Sequence, residues 1–97
     1  MMNNESISYV YILKCRDNSF YTGYTNDPIR RLSVHNKGKG AKYTRNRIPV
    51  CYVFLRAFRS KSSAMSAEKR IKNLKRDDKI ILMAGGLEDF WQDIKRL

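Results

Sequence analysis

Five side chains stand out as types that handle protons, anions or cations: Tyr11, Tyr21, Arg31, His35 and Glu68. Their spacing lets them converge. Tyr11 lies in the middle of one apolar run and Tyr21 in the next. Side chains alternate along a strand, so the two tyrosines share a face only if an odd number of residues joins the runs. A three-residue loop around Asp17-Asn18 meets that condition, and a two-residue loop does not. Arg31 and His35 are four apart, so a helix there presents them on one side. Glu68 is the only acid between Asp27 and Asp77. It falls about 80° from the centre of the apolar face of its own helix.

Each residue also has a plainer use. The tyrosines could be core-edge aromatics with wet hydroxyls. Arg31 could belong to a general basic surface, and His35, the one histidine, could cap its helix. Glu68 could pair with Lys72, a contact worth roughly 0.3–0.5 kcal/mol. The charge distribution favours a joint reading. Twenty Lys and Arg stand against nine Asp and Glu, a net charge of +11. Ten of the basic residues (Arg30, Arg31, Lys37, Lys39, Lys42, Arg45, Arg47, Arg56, Arg59, Lys61) lie between Pro28 and Ala67, where there is no acid. Such a segment repels itself until a polyanion screens it, and each phosphate contact releases counterions. Gly38, Gly40 and Pro49 break the stretch, so it is no amphipathic membrane helix. Nucleic acid is the expected partner, and a membrane is not.

The elements that must position these groups follow from the pattern. Ser8 to Cys15 and Phe20 to Thr25 are β-branched and aromatic runs joined by Arg16-Asp17-Asn18-Ser19, a hairpin. Asn26 or Asp27 caps a helix with Pro28 in its first turn, running to about Asn36 and closed by Gly38 or Gly40. Lys37 to Arg47 is a basic loop. Val50 to Leu55 is a third strand, and a helix from Ser62 or Ser63 to Leu74 carries Ala64, Ala67, Ile71 and Leu74 on one face. Asp77 is the expected cap of a short helix, Lys79 to Ala84. Leu87, Phe90, Trp91, Ile94 and Leu97 fall at helical spacing and are expected to pack on the core, with a dimer contact as the alternative. The order β-β-α-β-α-α predicts an α+β fold, a three-stranded, mainly antiparallel sheet flanked by helices.

The length fits one domain over residues 1–97, with a motif core at about 8–75 and a helical extension at 76–97. No apolar run approaches the ~20 residues that cross a bilayer. The first residues resemble no signal peptide, so the cytoplasm is the expected location. Cys15 and Cys51 lie in apolar runs without metal-ligand spacing and read as buried free thiols.

Tyr9-Val10-Tyr11 followed by Tyr21-Thr22-Gly23 resembles the paired tripeptides of the GIY-YIG nucleases, which sit on neighbouring strands about ten residues apart. Arg31 and His35 match the arginine and histidine on that family's first helix. Glu68 matches the glutamate on a later helix. The resemblance covers Tyr9 to about Leu74. Arg30-Arg31-Leu32, His35-Asn36 and Gly38-Lys39-Gly40-Ala41-Lys42-Tyr43-Thr44-Arg45 are similar to small stand-alone bacterial members of largely undefined role. Tyr9 and Thr22 depart from the name motifs, and Tyr24 stands where repair-type relatives carry a lysine.

The resemblance implies metal-dependent hydrolysis of a phosphodiester bond. On that pattern Glu68 holds one Mg²⁺ or Mn²⁺ and Arg31 neutralises the transition state. Tyr11 orients or deprotonates water, its acidity raised by Arg31, the metal and the positive field around them. Tyr21 and His35 position phosphate or share the proton. Arg30, Lys37, Lys39, Lys42, Arg45 and Arg47 would hold nucleic acid, with DNA ahead of RNA and Tyr43 stacking on a base. A monomer is expected ahead of a dimer. The alternative is a DNA- or RNA-binding module on the same fold with little turnover.

Overall fold

The structure, a computed structural model, describes residues 7–91. Strands β1 (Ser8–Lys14) and β2 (Phe20–Thr25) form an antiparallel hairpin. Its turn is set by local chemistry. Cys15 N–H donates to the Ser19 carbonyl at 2.8 Å, and Asn18 takes a left-handed φ of 67° that closes a three-residue loop. Asp17 Oδ1 accepts from the Ser19 N–H at 3.1 Å. The odd count places Tyr21 opposite Leu13 and Gly23 opposite Tyr11, all on one face.

Helix α1 (Pro28–Asn36) starts where Asp27 accepts the Arg30 N–H at 3.1 Å, with proline in its first turn. Its end runs into Gly38, at a φ of 74°. Strand β3 (Cys51–Phe58) pairs antiparallel with β1, so β1 is central in the order β2-β1-β3. Helix α2 (Lys61–Lys72) is capped by Ser60, whose Oγ accepts the Ser63 N–H at 3.1 Å. Helix α3 (Arg76–Met83) and a 3₁₀ turn (Glu88–Trp91) complete the described chain. The architecture is three antiparallel strands in one open sheet with three helices, in the order β-β-α-β-α-α.

The two sheet faces have different contents. One carries Val10, Ile12 and Phe58 against Ala64, Ala67 and Ile71 of α2, with Leu82 and Trp91 closing the cluster. The small alanines let α2 lie close on the sheet. Each large apolar side chain buried there contributes about 1.5–3 kcal/mol. The other face gathers Tyr11, Leu13, Cys15 and Val50 with Tyr21, Leu32, Ile48 and Tyr52. A bulge separates these contents on β3, because Ile12 pairs with Phe54 but Leu13 pairs with Tyr52. The extra residue, Val53, shifts the alternation and turns Tyr52 towards Tyr11.

Three sequence expectations need correction. Cys51 is exposed, because it begins β3 at the end of the sheet, paired with the exposed Lys14. Helix α3 begins at Arg76, earlier than expected, so Asp77 lies inside its first turn. Lys75 is the N-cap and makes no side-chain cap bond. Strand β3 continues past Leu55 to Phe58, which is fully buried and anchors the α2 side of the sheet. Trp91 packs on Phe54 and Phe58 as expected. Ile94 and Leu97 lie outside the described residues.

Candidate active site

The hydroxyl of Tyr11 is the centre of the second face. Tyr11 is 1% exposed and its ring lies across Gly23, where an added Cβ would come 2.5 Å from its Oη. Only glycine leaves room for the phenol at that step. Two groups of α1 reach the same oxygen, as their four-residue spacing requires. His35 Nε2 is 3.0 Å away, and Arg31 Nε–H donates at a long 3.5 Å. Tyr21 and Tyr52 flank the pair, with ring centroids 6.5 and 5.2 Å from that of Tyr11. Tyr52 donates its hydroxyl to the Pro28 carbonyl at 2.7 Å, which ties the start of α1 to β3.

His35 is fully buried. Its Nδ1 lies 2.9 Å from Thr44 Oγ, and Thr44 in turn donates to the Ala41 carbonyl at 3.0 Å. Gly40 is needed for this approach, since a Cβ there would overlap the imidazole. The loop that brings Thr44 is held at both ends. Asn36 accepts the Val50 N–H at 2.7 Å and donates to its carbonyl, and Arg16 N–H bonds the Arg47 carbonyl.

Electrostatics at the centre follow burial. Burial, and then the charge of Arg31, pushes His35 down to about 4, so the imidazole is neutral at pH 7. Burial also raises the Tyr11 hydroxyl above its ordinary value, despite the hydrogen bond from Arg31 that opposes it. The expectation that the positive field makes Tyr11 more acidic is thus reversed in the protein alone. Tyr52 is pushed up to about 12 by burial and by Tyr11.

Glu68 is nearby rather than in contact. Its carboxylate pairs with Lys72 at 3.3 Å, and it adds to the field that raises Tyr11. Lys72 Nζ stands 6.0 Å from the Tyr21 ring centroid. Among the described residues no three His, Cys, Asp or Glu side chains cluster to hold a metal ion.

Two open grooves meet at Arg31. One, of about 670 Å³, is lined by Tyr24, Asn26, Arg31, Arg59 and Lys61 among others. The second, of about 390 Å³, shares Thr25, Asn26 and Arg31 and adds Arg30. Lys37, Lys39, Lys42 and Arg45 are exposed on the loop after α1. Arg47 is already committed: it pairs with Asp17 at 3.1 Å, donates to the Tyr43 carbonyl at 2.6 Å and lies 4.0 Å from the Tyr43 ring centroid. Tyr43 itself stacks on Tyr21, with centroids 6.0 Å apart at 24°. Stacking of Tyr43 on a base would have to displace one of these neighbours.

A model of the GIY-YIG catalytic domain matches residues 7–80. The chain belongs to the GIY-YIG family. Its relatives include UPF0213 proteins. A UPF0213 protein of Streptococcus pneumoniae is 56% identical over 72 residues, 74% of this chain and 73% of that one. A second from Oceanobacillus iheyensis is 55% identical over 75 residues, 77% of this chain and 87% of that one. The solution NMR structure of a UPF0213 protein from Bacillus halodurans matches with a TM-score of 0.54 and 45% identity, over 94% of this chain and 99% of that one. A protein of E. faecalis, also solved by NMR, gives a TM-score of 0.59 at 43% identity over 87% and 90%. The GIY-YIG domain defines a nuclease superfamily, and these relatives share its fold.

Within this GIY-YIG domain, Tyr11, Tyr21, Arg31 and His35 lie together, whereas Glu68 is one ion pair removed. Sequence reasoning gave no individual site role to Tyr52, Thr44, Gly40, Arg59 or Lys61, although Gly40 and Thr44 lie in the matching motif. A period-2 reading puts Tyr52 on the wrong face unless the bulge is known. Thr44 sits in a loop with no period to read. Arg59 and Lys61 were visible only as members of the basic segment.

Proposed function

We propose that this GIY-YIG domain is a divalent-metal-dependent endonuclease that hydrolyses phosphodiester bonds in nucleic acid, DNA ahead of RNA. The observation that carries the reading is the Tyr11 hydroxyl, held between His35 and an Arg31 that also lines two cationic grooves. A phosphate in either groove meets the Arg31 guanidinium, whose planar donors suit an anion gaining charge in the transition state. Tyr11 orients the attacking water, and His35 is the neighbour able to take a proton from the phenol.

The pair rests neutral. Burial holds the phenol above its ordinary value and the imidazole is held at about 4, so a wide gap opposes proton transfer between them in the resting protein. An anionic phosphate on Arg31 narrows this gap by offsetting the charge that disfavours the imidazolium. Glu68 would hold one Mg²⁺ or Mn²⁺. A single carboxylate suits these ions when waters and substrate phosphate oxygens complete the shell. When bound there, the ion would supply charge stabilisation at the leaving oxygen. Lys72 must then release Glu68. Lys39, Lys42 and Arg45, with Arg30 in the smaller groove, would hold the backbone.

The test is a cleavage screen of single-stranded, duplex, flapped and branched DNA and of RNA, with Mg²⁺ or Mn²⁺ against EDTA. Glu68→Ala and Arg31→Ala should abolish cutting and largely retain binding. Normal rates in both variants would refute the assignment. One observation favours a binding module with little turnover, namely that Glu68 is already neutralised by Lys72. Salt-sensitive binding without cutting in any metal would decide for it.

A further inference from the structure

The proton inventory around His35 has a single solution that satisfies every group. Thr44 Oγ has one hydrogen and two neighbours, the Ala41 carbonyl at 3.0 Å and His35 Nδ1 at 2.9 Å. A carbonyl can only accept. If the Thr44 hydrogen goes to Ala41, Nδ1–H donates to Thr44 Oγ, and Nε2 accepts the Tyr11 hydroxyl. A directed chain results: Arg31 to Tyr11, Tyr11 to His35, His35 to Thr44, Thr44 to Ala41. If the hydrogen goes to Nδ1 instead, Nε2–H and Arg31 Nε–H both point at Tyr11 Oη. The hydrogen of this buried phenol then has no acceptor among its described neighbours, and an unmet buried donor is costly.

We propose that Thr44 is a positioning residue that locks His35 in its Nδ1–H tautomer and so makes Nε2 the proton acceptor for Tyr11. The lock is built into the backbone. Thr44 is fully buried, and its own N–H bonds the Ala41 carbonyl at 3.1 Å. Arg47 N–H holds the Thr44 carbonyl at 3.0 Å, and Arg47 is pinned to Asp17 of the hairpin. When the Tyr11 proton passes to Nε2, the electron pair stays on the phenolic oxygen, where Arg31 donates. The Nδ1–H keeps its acceptor throughout, so no other hydrogen has to move. The catalytic meaning of this lock rests on the nuclease reading, but its existence does not.

His35 is the only histidine in the chain, so the ¹⁵N spectrum of the uniformly labelled protein at pH 7 reports this ring alone. The expected result is a proton-bearing Nδ1 and a bare Nε2. A bare Nδ1, or an average of both forms, overturns the proposal without any variant being made. Thr44→Val removes the acceptor and should move the ring to the Nε2–H form or to a mixture. Thr44→Ser should restore Nδ1–H. An unchanged Nδ1–H in a folded Thr44→Val protein also overturns the proposal. In cleavage assays Thr44→Val should lose on the order of 10–100-fold, by analogy with residues that orient metal-bound imidazoles, with Thr44→Ser recovering most of it. An Nδ1–H protein that cuts nothing keeps the lock and removes the nuclease reading. A cutting protein with Nε2–H does the reverse.

Discussion

Acid should destabilise this protein through one residue before its carboxylates respond. His35 has an ordinary value of 6.5 and is held at about 4 in the fold, first by burial and then by Arg31. Its folded value is depressed, so between about 4 and 6.5 the unfolded chain binds a proton that the native one refuses. Stability therefore rises with pH across that window and is lost as pH falls from 6.5 towards 4. The difference of 2.5 units corresponds to about 3 kcal/mol at 1.36 kcal/mol per unit. That is a large share of the roughly 5–15 kcal/mol expected for a small domain. Asp17, held below its ordinary 3.8 chiefly by the Ser19 hydroxyl, loses its contribution only at lower pH. Urea denaturation at closely spaced pH values from 7.5 to 4.5 should show the fall, and His35→Gln should flatten it. An NMR titration of His35 gives the same quantity directly. A flat profile in the wild-type protein, or a His35 midpoint near 6.5, would refute the claim that burial and Arg31 control this ring.

Three further outcomes are expected. On the alkaline side, Tyr11 and Tyr52 are held neutral by burial, so stability should fall as pH rises through 10 towards 12. Phenolate absorbance should then rise late, together with the loss of native circular dichroism. Gly40→Ala should cost about 1–3 kcal/mol by thermal or urea unfolding, because its Cβ meets a fully buried imidazole with little room to retreat. It should also shift the His35 ring signals, whereas Gly38→Ala, where a Cβ meets nothing but φ is positive, should cost stability and leave those signals in place. The double variant Arg59→Gln, Lys61→Gln should lower the slope of log affinity against log salt on duplex DNA by about 2, at roughly 0.9 per phosphate contact. An unchanged slope would place the strand elsewhere than the larger groove.

Much of the candidate site was legible because it depends on short-range periodicity. The odd hairpin loop, read from Asp17-Asn18, fixes the shared face of Tyr11 and Tyr21, and the structure has a three-residue loop there. The four-residue spacing of Arg31 and His35 places both on the Tyr11 oxygen. What was illegible depends on long-range geometry. Tyr52 joins the site only through a bulge, and Cys51 is exposed at the end of the sheet, paired with the exposed Lys14, which no local pattern states. Thr44 reaches His35 through a loop whose path is set by Asn36 gripping Val50, a contact 14 residues apart. The field around Tyr11 was misjudged in sign for a similar reason. Net charge is visible in composition, but desolvation appears only once neighbours are placed, and for a phenol at 1% exposure it outweighs a single arginine.

The two faces of the sheet divide the work in a way that explains why so small a chain can keep a polar centre. On the α2 face, Val10, Ile12, Phe58, Ala64, Ala67 and Ile71 are fully buried and apolar, and the buried Thr22 opposite Ile12 is a polar exception. On the other face a neutral histidine and a threonine are buried alongside a tyrosine, and each would be a liability if any one of its hydrogen bonds were missing. The glycines Gly23 and Gly40 are what let this second face close, one under the phenol and one against the imidazole. A chain selected for stability alone could fill both positions and replace the polar chain with aliphatic packing. The apolar face supplies the margin that makes the polar one tolerable. It follows that stabilising changes confined to the apolar side of α2, away from Glu68 and Lys72, should leave the Tyr11 centre unaltered, whereas a side chain added at Gly23 or Gly40 disrupts the centre and costs stability unless the polar chain is replaced with it.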